Sequence, residues 1–211
     1  IRPSRGLGDV YKRQVFLLDL KQGSLKPIGR TSNVPKDRLH KMVSKKFTTR
    51  DGESIYGYLT KPKGKVERLI VYIHGGPYGI RDFDSYDFSE QYLASKGAAV
   101  LKVNYRGSGG YGTNFMEDAY KEWGGRLLND IADATQAVQK ELGIGREKTC
   151  AFGASYGGYA ALAMAYKYSE LYECVAGGMG VYDMQILRDG TDDSIYTRQD
   201  CLLYTSDAAD E

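Results

Sequence analysis

Apolar and polar positions change period along the chain, and the changes mark out its elements. Residues 15–20 are an apolar run that predicts a strand, 21–24 carry turn residues, and 25–28 predict the returning strand of a hairpin. From 29 to 40 the chain is polar, with Pro35 and several charges, and reads as a linker. A second hairpin is predicted over 47–59, turning at Asp51-Gly52. Beyond it strands and helices alternate. Residues 69–73 are a continuous apolar strand. Helical spacing follows over 87–96, with Phe88, Tyr92 and Leu93 on one face, and 98–105 are the next strand. The clearest helix is 129–142, where Leu127, Leu128, Ile131, Ala134, Val138 and Leu142 recur at three to four residues and Gly143 is placed to end it. A strand opens at Thr149, an Ala-rich helix follows, and 174–176 are a further strand. Such alternation predicts an α/β fold with a mostly parallel sheet and helices on both faces.

Gly153-Ala154-Ser155-Tyr156-Gly157-Gly158 stands where a strand runs into a helix, the context of a G-x-S-x-G nucleophile elbow. The turn must lift one side chain above the sheet, and Gly153 and Gly157 leave room for backbone that any Cβ would meet. A serine hydroxyl is a weak nucleophile, so it needs a base, an orienting carboxylate and donors for the developing oxyanion. One donor is expected from the backbone N–H of Tyr156. The other is expected on the loop His74-Gly75-Gly76-Pro77, at His74 and Gly75. In this fold the base follows the nucleophile in chain order, so His74 reads as shaping the oxyanion loop. His40, in the linker, is expected at the surface. No histidine occurs after His74. Asp183, Asp189, Asp192 and Asp193 follow the elbow without a histidine to orient, so the triad Asp and His are absent from this chain.

Gly107-Ser108-Gly109-Gly110-Tyr111-Gly112 also satisfies the dinucleotide fingerprint G-x-G-x-x-G. The acid expected some 20 residues on, at the end of a second strand, is missing. Asp130 and Asp133 lie in the long helix instead. The loop therefore reads as a border of the hydrolase cleft, and neither a cofactor nor a metal site is predicted.

Both termini look foreign. Asp9 to Gln14 and Cys201 to Ser206 can be encoded by one DNA string read on opposite strands, the transposon end of sequencing-library adapters. Residues 1–14 and 201–211 are thus expected to be adapter-derived, leaving 15–200 as an internal piece of a longer gene. The formal charge of +2 is the same with or without these ends and forms no basic tract, which argues against nucleic acid or an anionic membrane as partner. Of the three cysteines, Cys150 and Cys174 read as buried small hydrophobes rather than a disulfide. No apolar run reaches membrane-spanning length. Localisation and oligomeric state stay open.

Four motifs in order carry a resemblance: the His-Gly-Gly-Pro loop at 74, Asn104-Tyr105-Arg106 running into the Gly-rich loop, Trp123-Gly124-Gly125, and the elbow. With them the chain resembles the prolyl oligopeptidase family of serine peptidases, especially its acylaminoacyl-peptidase and dipeptidyl-peptidase-like branch. The resemblance implies the α/β-hydrolase fold, C-terminally truncated over 41–200 and preceded over 15–40 by a remnant of a β-propeller blade and a linker. It implies Ser155 as the nucleophile, short peptides as substrates, and a triad Asp and His beyond this chain. The chain by itself is then expected to be inactive. An esterase of the same fold, or a non-catalytic hydrolase-like interaction protein, are the alternatives.

Overall fold

Four strands running parallel form the centre of the molecule in a computed structural model that describes residues 14–30 and 34–183. The terminal segments expected to be foreign fall outside these residues apart from Gln14, as do Asp189, Asp192 and Asp193. The central strands are β5 (Arg68–Ile73), β6 (Ala98–Asn104), β7 (Thr149–Ala154) and β8 (Cys174–Gly178). The hairpin of β3 (Lys41–Thr48) and β4 (Ser54–Lys61) adds to β6 antiparallel, giving the order β3-β4-β6-β5-β7-β8. Its turn is at Asp51-Gly52 as expected, with Gly52 at φ 87°. A separate antiparallel pair, β1 (Gln14–Asp19) and β2 (Ser24–Arg30), forms the first hairpin. Asp19 closes its turn by accepting from the N–H groups of Lys21 and Gln22.

Helices α1 (Phe88–Ser95), α2 (Thr113–Glu117), α3 (Arg126–Leu142) and α4 (Tyr156–Lys167) follow. The period of α3 is the predicted one. Leu127, Leu128, Ile131, Ala134 and Val138 are fully buried, and Gly143 caps the end at φ 63°. They pack with Leu69, Val71, Leu101, Val103 and Ala151 into one core that also takes in Ala160, Ala161 and Met164 of α4. Lys102 and Thr60 alternate with these sheet residues and point to the opposite face, where both meet Glu90 of α1. Helices therefore cover both faces of a mostly parallel sheet, the α/β-hydrolase arrangement.

Three expectations are corrected. In α1 two of the three stripe residues face outward: Phe88 is 68% and Tyr92 52% exposed and Leu93 is half-buried, whereas Glu90, Gln91 and Ala94 are buried. The buried carboxylate is held by an ion pair to Lys102 at 2.6 Å and a hydrogen bond from the Thr60 hydroxyl, which offset part of the cost of burial; desolvation still raises its pKa. His40 is buried too, because Gln91 takes up its main chain. The His40 N–H donates to Gln91 Oε1 at 2.7 Å, and its carbonyl accepts from Gln91 Nε2 at 3.2 Å. Finally, Cys150 and Cys174 form a disulfide. They stand opposite one another in the β7–β8 register, at the sheet edge away from the elbow, so neighbouring parallel strands bring them together.

Candidate active site

Strand β7 ends at Ala154 and α4 begins at Tyr156, leaving Ser155 alone to make the turn. Its backbone takes φ 57° and ψ −128°, a region that L-residues populate only under constraint. The surroundings supply the constraint. A Cβ at Gly157 would collide with the Ile73 carbonyl, and one at Gly153 with the Gly157 carbonyl. The Ser155 N–H donates to the Gly178 carbonyl at 3.0 Å. The result is an exposed hydroxyl held above the sheet, without a hydrogen-bond partner among the described residues.

Tyr156 is the first residue of α4, so its N–H has no intrahelical acceptor. Its side chain is fully buried, with the hydroxyl donating to the Trp123 carbonyl at 3.0 Å and the ring packed edge-on against Trp123. This anchor holds the N–H beside the nucleophile. Gly75 borders Ser155 directly, since a Cβ there would lie 3.2 Å from Ser155 Cβ and 3.7 Å from its Oγ. Ser155, Tyr156 and Gly75 are thus brought together.

The His74 side chain is buried and engaged by other partners. Its ring stacks on Tyr105 at 4.3 Å, and its Nε2 is 3.1 Å from the Ser108 hydroxyl. Nδ1 is 2.7 Å from the Gly75 carbonyl, and the Tyr105 hydroxyl donates to the carbonyl of His74 at 2.8 Å. Burial lowers the imidazole pKa to about 4, only partly offset by the Gly75 carbonyl. A neutral ring that donates from Nδ1 and accepts at Nε2 satisfies all these contacts. In this position both ring nitrogens of His74 are taken up by protein partners, and the ring packs against the loop that carries Gly75.

The Gly-rich loop stitches to the same rim. The Gly79 N–H donates to the Gly107 carbonyl at 2.9 Å, and the Gly109 N–H to the Ile80 carbonyl at 3.0 Å. Arg106, one residue earlier, is buried in a fork with Asp130 and Asp51. The Arg106 guanidinium holds Asp51 down at about 2, whereas burial raises Asp130 despite the same partner. Asp133 pairs with Arg50. The two helix acids are thus structural. Asp82, on the loop after β5, is pushed up to about 6 by burial, with Lys102 opposing. Sequence reasoning missed this group and the Arg106 network, because long-range ion pairs leave no periodic trace. No group of three or more His, Cys, Asp or Glu suited to a metal occurs among the described residues, and no helix there is long and apolar enough to cross a membrane.

An exposed serine on a strained strand–helix turn, with the first N–H of α4 behind it and a glycine loop against it, is the nucleophile-elbow arrangement of the α/β-hydrolase class. Comparison with known proteins refines the class. The profile of the Prolyl oligopeptidase family matches residues 84–210. Dipeptidyl aminopeptidase BIII of Pseudoxanthomonas mexicana is 33% identical over 151 residues, which are 67% of this chain and 22% of that protein. Dipeptidyl-peptidase 5 of Porphyromonas gingivalis is 23% identical over 193 residues, 88% of this chain and 28% of the relative. Among solved structures, a puromycin hydrolase superposes with a TM-score of 0.71 at 29% identity, covering 84% of this chain and 28% of that one. An acylaminoacyl peptidase superposes at 0.66 and 25% identity, over 75% of this chain and 26% of its own. The chain belongs to the prolyl oligopeptidase family of serine peptidases. It spans 22–28% of the length of these relatives.

Proposed function

We propose that the full-length protein hydrolyses short peptides through an acyl-enzyme formed on Ser155. The observation that carries this reading is an exposed Ser155 on a strained turn, with the Tyr156 N–H next in the chain and Gly75 against its side chain. The hydroxyl attacks the scissile carbonyl, and the new oxyanion is received by the Tyr156 N–H and by backbone of the His74-Gly75 loop. Loss of one such donor typically costs about 3 kcal/mol of transition-state stabilisation. His74 keeps the loop in place through its ring. The base and the orienting acid come from outside this chain, so residues 1–211 alone have a nucleophile without activation and are expected to show only residual catalysis. The relatives' names, dipeptidyl peptidase and acylaminoacyl peptidase, support short peptides as the substrate class. In the same reading residues 15–40 close a β-propeller that limits access to the cleft, and the hydrolase domain starts at 41.

The test uses the full-length protein with a fluorophosphonate probe and matched peptide and ester substrates. Stoichiometric labelling lost in Ser155→Ala, with peptide turnover lost alongside, is the expected result. Ester turnover without peptide turnover would favour an esterase. Absence of labelling would favour a non-catalytic protein.

A further inference from the structure

Arg81 follows Ile80 on the loop after β5, and its setting differs from that of every other arginine whose side chain is described. Only Arg81 and Arg106 among them are not exposed. Arg106 meets two carboxylates. Arg81 meets none within ion-pair distance among the described residues, and its guanidinium makes no hydrogen bond there. It lies instead on aromatic rings, 4.4 Å from the centroid of Phe83 and 5.5 Å from that of Tyr111. Asp84 is close in sequence, yet its carboxylate does not reach the guanidinium.

The Tyr111 side of the seat is held by its neighbours. Tyr111 stacks on Tyr56 at 5.2 Å with the rings 2° from parallel. Asn104, at the end of β6, clamps both sides of it. Its Oδ1 accepts from the Asp82 N–H at 2.8 Å, and its Nδ2 donates to the Asp82 carbonyl at 3.1 Å and to the Tyr111 hydroxyl at 2.9 Å. Gly110 completes the seat, for a Cβ there would stand 2.6 Å from Arg81 Nη1. Stacking holds the planar fork in place while leaving its N–H edges free, the geometry that suits bidentate recognition of a carboxylate.

The position is that of a substrate contact. Strands β5, β6 and β7 are parallel, so the loops after them share one rim of the sheet with Ser155. Ile80, adjoining Arg81, lies against Gly76, and Gly75 lies against Ser155. Arg81 is on the loop after β5, beside β7, and its Tyr111 platform is on the loop after β6, so one to two strand spacings separate them from Ser155, about 5–10 Å or roughly two to three extended peptide residues.

We propose that Arg81 binds the free α-carboxylate of a short peptide substrate, two to three residues beyond the scissile bond on the leaving-group side. A fixed cation repels a free α-ammonium, which assigns it to the carboxyl-terminal part of the substrate. The proposal rests on the peptidase reading above. It selects short peptides by their end as well as by access.

The test compares, on the full-length protein, kcat/KM for tri- and tetrapeptides with a free C-terminal carboxylate against the same peptides as C-terminal amides. A charge-assisted bidentate contact should favour the acids by about ten- to a hundredfold. Arg81→Gln should erase that preference by lowering kcat/KM for the acids to that for the amides, and Arg81→Lys should restore part of it. An acid-to-amide ratio unchanged in Arg81→Gln overturns the proposal. So does an equal loss on both substrates, which would mean a merely structural arginine. If neither peptide is turned over and Ser155 takes no fluorophosphonate label, the peptidase reading itself has failed and the proposal falls with it. Labelling with a flat acid-to-amide ratio in the unmodified protein rejects the proposal alone.

Discussion

Removing the carboxylate of Asp130 strands a guanidinium in the interior. The Arg106 side chain is 4% exposed and that of Asp130 is 0% exposed. Asp130 accepts three bonds from one residue: the Arg106 N–H at 2.9 Å, Nε at 3.0 Å and Nη2 at 2.7 Å. Truncating one partner of such a pair costs about 3–5 kcal/mol, because the charge left behind is neither solvated nor paired. Asp51 remains on the other edge of the fork, at 2.6 Å from Nη1, which puts Asp130→Ala near the low end, about 3 kcal/mol. In a domain of this size that lowers Tm by roughly 6–12 °C. Replacing both partners, as Arg106→Met with Asp130→Leu, should recover most of the loss, since the pair's attraction is largely offset by its desolvation. Thermal and urea unfolding of the full-length protein, followed by fluorescence, measure this. The acid side gives an independent check. Asp51 has a folded pKa of about 2 against an ordinary 3.8, so its contribution is complete above about pH 4 and is lost as pH falls toward 2. Asp51→Asn should therefore weaken the acid-side loss in that window. A Tm drop under about 2 °C for Asp130→Ala, or a double variant as unstable as the single, would refute the reasoning.

Two further outcomes are expected. Ser155→Gly should be more stable than Ser155→Ala by about 1 kcal/mol in urea unfolding, because glycine accepts φ 57° and ψ −128° without strain, although neither variant can take a fluorophosphonate label. Equal stabilities would mean the elbow is unstrained. Opening the Cys150–Cys174 bond by dithiothreitol or by Cys174→Ala should cost about 3 kcal/mol, the loop-closure value for 24 residues, and an unchanged urea midpoint would argue against the bridge.

What was legible in the chain was local. The α3 stripe from Leu127 to Val138, its Gly143 cap and the elbow glycines each follow from spacing within one element, and each stands where spacing put it. Helix α1 shows where such reading stops. Its stripe of Phe88 and Tyr92 has the right period but the wrong face, since the choice of face was made by Lys102 on another element. His40 looked exposed for a similar reason, as its burial depends on Gln91, fifty-one residues away. The cysteines were closer to legible: each opens one of two consecutive parallel strands, and a right-handed crossover sets such strands side by side. Ser155 and the loop at 74 were recognisable because the elbow's chemistry is carried by contiguous residues. Arg81 was not, since Gly110 and Tyr111, which seat it, lie about thirty residues away on another loop.

The Gly-rich loop at 107–112 makes the same distinction in chemical terms. A glycine pattern cradles phosphate only when successive N–H groups point into open space. Here the Gly107 N–H goes to the Phe115 carbonyl, that of Ser108 to Tyr105, and that of Gly109 to Ile80. With those donors spent inside the protein, the loop has little left to offer a pyrophosphate. The close approaches that its glycines allow are to the loop bearing Gly79 and to the guanidinium of Arg81. One spacing can thus serve nucleotide binding in one fold and the packing of two loops in another. The destination of the N–H groups decides between them, and here it joins the loop to the rim that carries Ser155.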